Sequence, residues 1–263
     1  MKQSIINYLD NIKEELFSLC ANLFHLVGEP LQEIQKLLEE QGFSTTLEPS
    51  LLKGEIHGGK GPTLGFFSGY PTPSQNEIGR WKLSLAQSIS LGAVLGISNV
   101  IEELEGGIVI YCYPCDQESA LNESGFEKIH GGFLLKVGKR TCESSGNIPG
   151  FINNSTLNRL FCHNLKEAGI IEIHGARENI VTPLAGRLSH LIPCTSPIIG
   201  ILDITPEEDI QHLRRGQPSP ADKKVILRGS HAAAFTALDI ISKRDLFREM
   251  IQEFQESIEK VRE

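Results

Sequence analysis

Cys112-Tyr-Pro-Cys115 has the two-residue spacing of a redox dithiol or of half a zinc site. No second pair completes it, because Cys20, Cys142, Cys162 and Cys194 are scattered, so two thiols at a strand end, one buried and one at its tip, is the favoured reading. The eight histidines raise the question of a metal, yet His57, His130, His163, His174, His190, His212 and His231 are far apart in sequence, and none forms the i, i+4 helical pair of a zinc protease. His190 reads as packing or hydrogen-bonding structure, and His25 as one side chain on an amphipathic helix. Gly58-Gly-Lys-Gly61 could offer N–H groups to a phosphate, but it lacks the required spacing and precedes a strand, so it reads as a turn. No Gly-x-Ser-x-Gly elbow follows a strand.

These residues need a scaffold, and composition bounds it. A chain of 263 residues and 29.0 kDa can bury the core of one large α/β domain. Its 40% apolar and 22% charged content is that of a soluble globular protein. A net charge of −8 argues against nonspecific nucleic-acid binding, which needs a basic surface. The first residues lack the apolar stretch of a signal peptide, and no segment approaches about 18 uninterrupted apolar residues, so a cytoplasmic address without membrane association is expected.

Apolar residues recur at three and four from Ile5 to Leu26 and again from Leu31 to Leu38, predicting two helices broken at Gly28-Glu-Pro30, with Gly42 as the second C-cap. Phe43–Leu47 and Leu51–His57 read as short strands, and Thr63–Ser68 as a buried one. A helix dominated by small and apolar residues is expected from Leu83 to Leu104, then a central strand at Ile108–Tyr113. This strand, helix, strand order is a βαβ unit and predicts a partly parallel sheet. Further strands are expected at Gly132–Val137, Ile170–His174 and Pro197–Leu202, and helices at Thr156–Ala168, Lys224–Ile241 and Lys243–Glu263.

The motifs in this order resemble the M20 family of metallopeptidases and amidohydrolases, in the branch that removes acyl groups from amino acids and splits dipeptides. Leu23–Pro30 with Leu37–Phe43 is similar to the family's opening helices, Gly61–Tyr70 to its first metal-site strand, and Gly107–Pro114 to the strand before its catalytic carboxylates. Leu188–Pro193 and Leu227–Asp239 are similar to its closing segments. The resemblance implies a three-layer α/β/α domain with a mixed, mainly parallel sheet. It spans 1–263 as a single domain, with the family's lid and dimerisation domain deleted near 138–152.

The family uses two cations of zinc, cobalt or manganese and a Glu that takes a proton from metal-bound water. At the positions the resemblance assigns to these groups stand Pro71, the run Gly79–Ser84, Asp116, Gln117, Lys136 and Ile204, before a Thr205-Pro-Glu207 that matches the family. Protonated Lys and Ile offer no lone pair, so no metal and no cofactor is expected. The vestigial pocket is then Asp116, Gln117 and Lys136, with Asp116 and Lys136 expected at the ends of adjacent strands. They form either a metal-free acid/base pair, an anion pocket shared with Arg80 and Lys82, or a structural ion pair. The expected function is that of a noncatalytic homologue, a pseudoenzyme, whose pocket binds a small acidic or peptide-like ligand through Arg80, Lys82 and Lys136 or serves as a scaffold. The alternatives are a hydrolase of small amides or peptides with an altered metal site, and an interaction module that uses an exposed sheet edge.

Overall fold

The computed structural model describes residues 1–120, 125–138, 150–170, 182–200 and 205–262. The first helix, α1 (Lys2–His25), buries Ile5, Leu9, Leu16, Leu19 and Leu23 along one face, and it stops where Leu26 turns left-handed at φ 55°. Pro30 at the first position opens α2 (Pro30–Glu40), which buries Leu31, Ile34 and Leu38. A hairpin follows, with β1 (Ser44–Glu48) antiparallel to β2 (Leu51–His57). Next come β3 (Thr63–Tyr70), α3 (Glu77–Ser98) and β4 (Gly107–Pro114), the predicted βαβ unit, with β3 and β4 parallel. The helix begins six residues earlier than its apolar pattern, because the Asn76 side chain accepts from Gly79 N and caps it there.

The main sheet has six strands in the order β1-β2-β4-β3-β5-β7, where β5 is Gly131–Phe133 and β7 is Cys194–Thr195. The pairs β3–β4, β3–β5 and β5–β7 are parallel, and the hairpin side is antiparallel. The expected strand at Gly132–Val137 is present as two short stretches, β5 and β6 (Lys136–Val137); β6 pairs in parallel with β8 (Ile198–Ile199), and Gly132, Leu134, Lys136 and Gly138 donate in turn to Pro193, Thr195, Pro197 and Ile199, so the two pairings run on as one ladder. The later elements are α4 (Ser155–Glu167), α5 (Pro183–Ser189), α6 (Pro206–Arg214), α7 (Pro220–Ser242) and α8 (Arg244–Arg262). Of the expected strand Ile170–His174, residues 171–174 lie outside the described ones, as do Ile204 and positions 139–149 of the lid junction.

Apolar side chains from both sheet faces divide the core. On one face α1, α3 and α7 pack over Leu64, Phe66, Ile108 and Ile110. On the other, Leu184, Ala185 and Leu188 of α5 join Phe67, Tyr111 and Phe126. The result is a mixed, mostly parallel sheet flanked by helices, as expected. No helix among the described residues is long and apolar enough to cross a membrane.

Two close approaches explain particular glycines. A Cβ on Gly58 or Gly61 would fall onto the backbone carbonyl of Ile101 or of Glu105. The Gly58–Gly61 run is therefore a packed turn, and Gly58 N donates to Gly106 O (2.9 Å). Within α3, a Cβ on Gly92 would overlap the Ser230 hydroxyl of α7. Gly92→Ala is expected to cost about 1–2 kcal/mol in thermal or urea denaturation, because the two buried helices must separate to admit the methyl group. At the chain's far end, Glu253 of α8 accepts from Ser155 N (2.7 Å) and Thr156 N (2.8 Å), capping α4 with a charge. These bonds and that of the Ser155 hydroxyl hold its carboxyl below the usual range against the opposing effect of burial.

Candidate functional site

In open α/β sheets, ligands bind outside the carboxyl ends of the parallel strands. Here Tyr70 and Pro114 end β3 and β4 as ladder partners, so residues 71–76 and 115–120 leave the sheet side by side. Asp116 lies in the first turn of a 3-10 stretch, Cys115–Ala120. Its Oδ2 accepts from Thr72 Oγ1 (2.7 Å) and Ser74 Oγ (3.0 Å). Thr72 N donates to Gln75 Oε1 (2.7 Å), which folds the loop on itself. Asp116 thereby anchors the β3–α3 loop. Asp116→Ala is expected to speed amide hydrogen exchange across residues 71–76 by about fivefold, the equivalent of one lost hydrogen bond.

The predicted cationic residues separate. Arg80 and Lys82 lie in the first two turns of α3. The Arg80 guanidinium lies 5.6 Å from the centre of the Phe24 ring of α1, and its buried Nε has no hydrogen-bond partner among the described residues. Lys82 lies along Gly138 instead: its Cδ, Cε and Nζ are 3.1–3.4 Å from where a Cβ on Gly138 would stand. Gly138 directly follows β6, which starts at the half-buried Lys136. Lys82 and the strand of Lys136 are thus brought together. The expectation that Asp116 and Lys136 end adjacent strands is corrected: β3 stands between β4 and β5, and β6 pairs with β8. Gln117 is exposed.

Trp81, between the two cations, is buried and donates Nε1 to Asp222 Oδ1 (3.0 Å). Asp222 belongs to a buried acid cluster at the start of α7. Its Oδ2 accepts from Ser219 N (2.9 Å) and lies 2.8 Å from Ser219 Oγ, which is also 2.7 Å from Asp209 Oδ1. One hydroxyl proton cannot serve two carboxylates. With Ser219 donating to Asp222, the contact to Asp209 is a hydrogen bond only if Asp209 carries the proton. Burial pushes the Asp209 carboxyl up to about 6, and the nearby Asp222 charge adds to that effect.

Glu118 was not singled out in the sequence. Its Oε1 accepts from Leu184 N (2.7 Å) at the start of α5, and Arg187 donates to its carbonyl (3.2 Å). The readable signal was Thr182-Pro183, a cap followed by proline at the first helical position.

The Cys112 thiol is buried and accepts from Gln87 Nε2 (3.2 Å). Burial raises it to about 12 and raises Cys115 to about 11, so neither is a thiolate at neutral pH. His190 Nε2 donates to Gly150 O (2.8 Å).

The donor set does not suit a pair of divalent ions. Pro71, Trp81, Lys82 and Lys136 supply no lone pair, and Asp116 is engaged by two hydroxyls. Among the described residues no three His, Cys, Asp or Glu side chains converge. Two clefts lie elsewhere. One, of about 310 Å³, lies on the sheet face over Lys53, Glu55, His57, Tyr111 and Lys128, and the other, of about 460 Å³, lies between His130 and α8.

No family model matches the chain, and no curated protein matches it in sequence. Solved structures do match in shape. The Bacillus subtilis YXEP protein, a dinuclear metal binding peptidase from the M20 family, superimposes with a TM-score of 0.61 at 10% identity, over 92% of this chain and 100% of its own. The Legionella pneumophila LapA aminopeptidase gives 0.52 at 10% identity, over 92% of this chain and 72% of its own. A methicillin-resistant Staphylococcus aureus protein is matched over 66% of this chain and 59% of its own length, with a TM-score of 0.44 and 11% identity. The first two likenesses show a metallopeptidase-like fold.

Proposed function

We propose that this chain is a noncatalytic protein of the metallopeptidase-like fold that binds a small carboxylate-bearing, peptide-like ligand at the strand ends through Lys82 and Lys136. The observation that carries the reading is the placement of Lys82 along Gly138, next to the strand that Lys136 opens. Ammonium groups there would hold a ligand carboxylate by charge-assisted hydrogen bonds. Asp116, tied to Thr72 and Ser74, supports the same reading, because the two hydroxyls already occupy the lone pairs of its Oδ2. Arg80, turned onto Phe24, is left out of the ligand set.

Calorimetric titration with N-acetyl amino acids and dipeptides tests the proposal. Wild-type protein should bind one of them, and Lys82→Met and Lys136→Met should each weaken it by about tenfold, the loss of one charged contact. No binding by the wild type, or variants that bind as tightly as the wild type, would overturn it.

A further inference from the structure

We propose that the chain pairs with a second copy of itself through the free edge of β1, across a twofold axis at Thr46. The inference goes beyond the ligand-binding reading and does not rest on it. Among the described residues β1 ends the six-stranded sheet, and Ser44, Thr46, Leu47 and Glu48 of its five residues are exposed. Leu47 is 41% exposed, one of few large apolar side chains so placed.

Hairpin geometry fixes which backbone groups the edge presents. Glu48 and Leu51 are ladder partners across the two-residue turn Pro49-Ser50, so they form the hydrogen-bonded closing pair. Bonded and non-bonded pairs then alternate. Ser44, Thr46 and Glu48 bond to Glu55, Lys53 and Leu51, while Thr45 and Leu47 aim their N–H and C=O groups away from β2. The strand has no proline, no lysine and no break in its register, three of the devices that protect sheet edges, and its shortness and Glu48 weaken pairing without blocking it.

Those outward groups are self-complementary. With the axis at Thr46, Thr45 faces Leu47 of the partner subunit and the reverse, and each pair exchanges two backbone hydrogen bonds. Thr46 then faces Thr46 of the partner subunit, and Ser44 faces the partner's Glu48, so no like charges oppose one another. An axis at Leu47 would instead set Thr45 against Pro49 of the partner subunit, which has no N–H to give.

The helix layer also fits. α2 packs over β1 and β2, and strands lie about 4.8 Å apart, so the two α2 axes would lie about 10 Å apart across the twofold. That is the upper end of ordinary helix-packing distances. Gln35 and Glu39, whose side chains already bond to the Thr45 hydroxyl, stand at this seam.

Analytical ultracentrifugation of the full chain from about 1 to 200 µM tests the pairing. A short edge predicts a weak dimer, with Kd on the order of 10 µM. Thr46→Lys sets two ammonium groups face to face and should weaken the dimer at least tenfold, as Thr46→Glu should with carboxylates. Mixing the two variants should restore association. Because Thr46 is exposed, both variants should keep the wild-type circular dichroism and melting temperature. A wild type that stays monomeric throughout, a dimer indifferent to both substitutions, or a mixture that fails to associate would each overturn the proposal.

Discussion

Replacing Asp222 with alanine should destabilise the protein by about 3–5 kcal/mol, the largest single effect expected, because it strips a buried acceptor from several donors at once. The carboxylate accepts from Trp81 Nε1, Ser219 N and Ser219 Oγ, and its own N–H donates back to Ser219 Oγ in a capping box. Alanine would leave the buried Trp81 donor without a partner and would uncap α7, whose start meets α3 there. Urea denaturation followed by the fluorescence of Trp81, the only tryptophan, reads both the stability and the local environment. A loss below about 1 kcal/mol would mean that water replaces the carboxylate at this spot.

Asp209 should give the protein an inverted pH dependence in mild acid. Burial, the main cause, pushes its folded carboxyl up to about 6 from the ordinary value of 3.8. Between about pH 4 and 6 the unfolded chain releases this proton while the folded chain keeps it, so this residue's contribution to stability falls as pH rises through that window. Most acids do the reverse. The nearby Asp222 reinforces the shift, and His212 opposes it. Asp209→Asn should remove the fall and make the protein more stable than wild type above pH 6, since an amide can donate to Ser219 Oγ as the protonated acid does. Denaturation midpoints of both proteins from pH 4 to 8 check this, and parallel curves would contradict it.

Much of the fold was legible because its elements are long and periodic. Ile5, Leu9, Leu16 and Leu23 declare the inner face of α1, and Thr63–Ser68 and Ile108–Tyr113 are apolar on both faces, as central parallel strands must be. The short elements were not legible. β7 contributes only Cys194 and Thr195 to its ladder, too few residues to show a strand's period. α6 was missed although Thr205-Pro-Glu-Glu208 is a full capping box, because its polar sequence shows little apolar period.

The candidate site was legible as chemistry and less so as geometry. Pro71, Lys82 and Lys136 carry side chains without a metal donor, which is all that residue types can say. They do not say that Arg80 would turn to Phe24, nor that Asp116 would be drawn into the loop by Thr72 and Ser74, since both are contacts between residues far apart in the sequence. Ser219 and Asp222 stand at capping-box spacing, but the contact that ties them to Asp209 joins two helices through side chains alone, and no sequence spacing announces it.

The most direct test of whether lysines have taken the place of metal ions is elemental analysis of protein incubated with zinc, cobalt or manganese and then dialysed, with hydrolysis of N-acyl amino acids and dipeptides assayed on the same samples. The expected result is substoichiometric metal and no turnover under every condition. Stoichiometric metal accompanied by turnover, both abolished by a chelator, would contradict it.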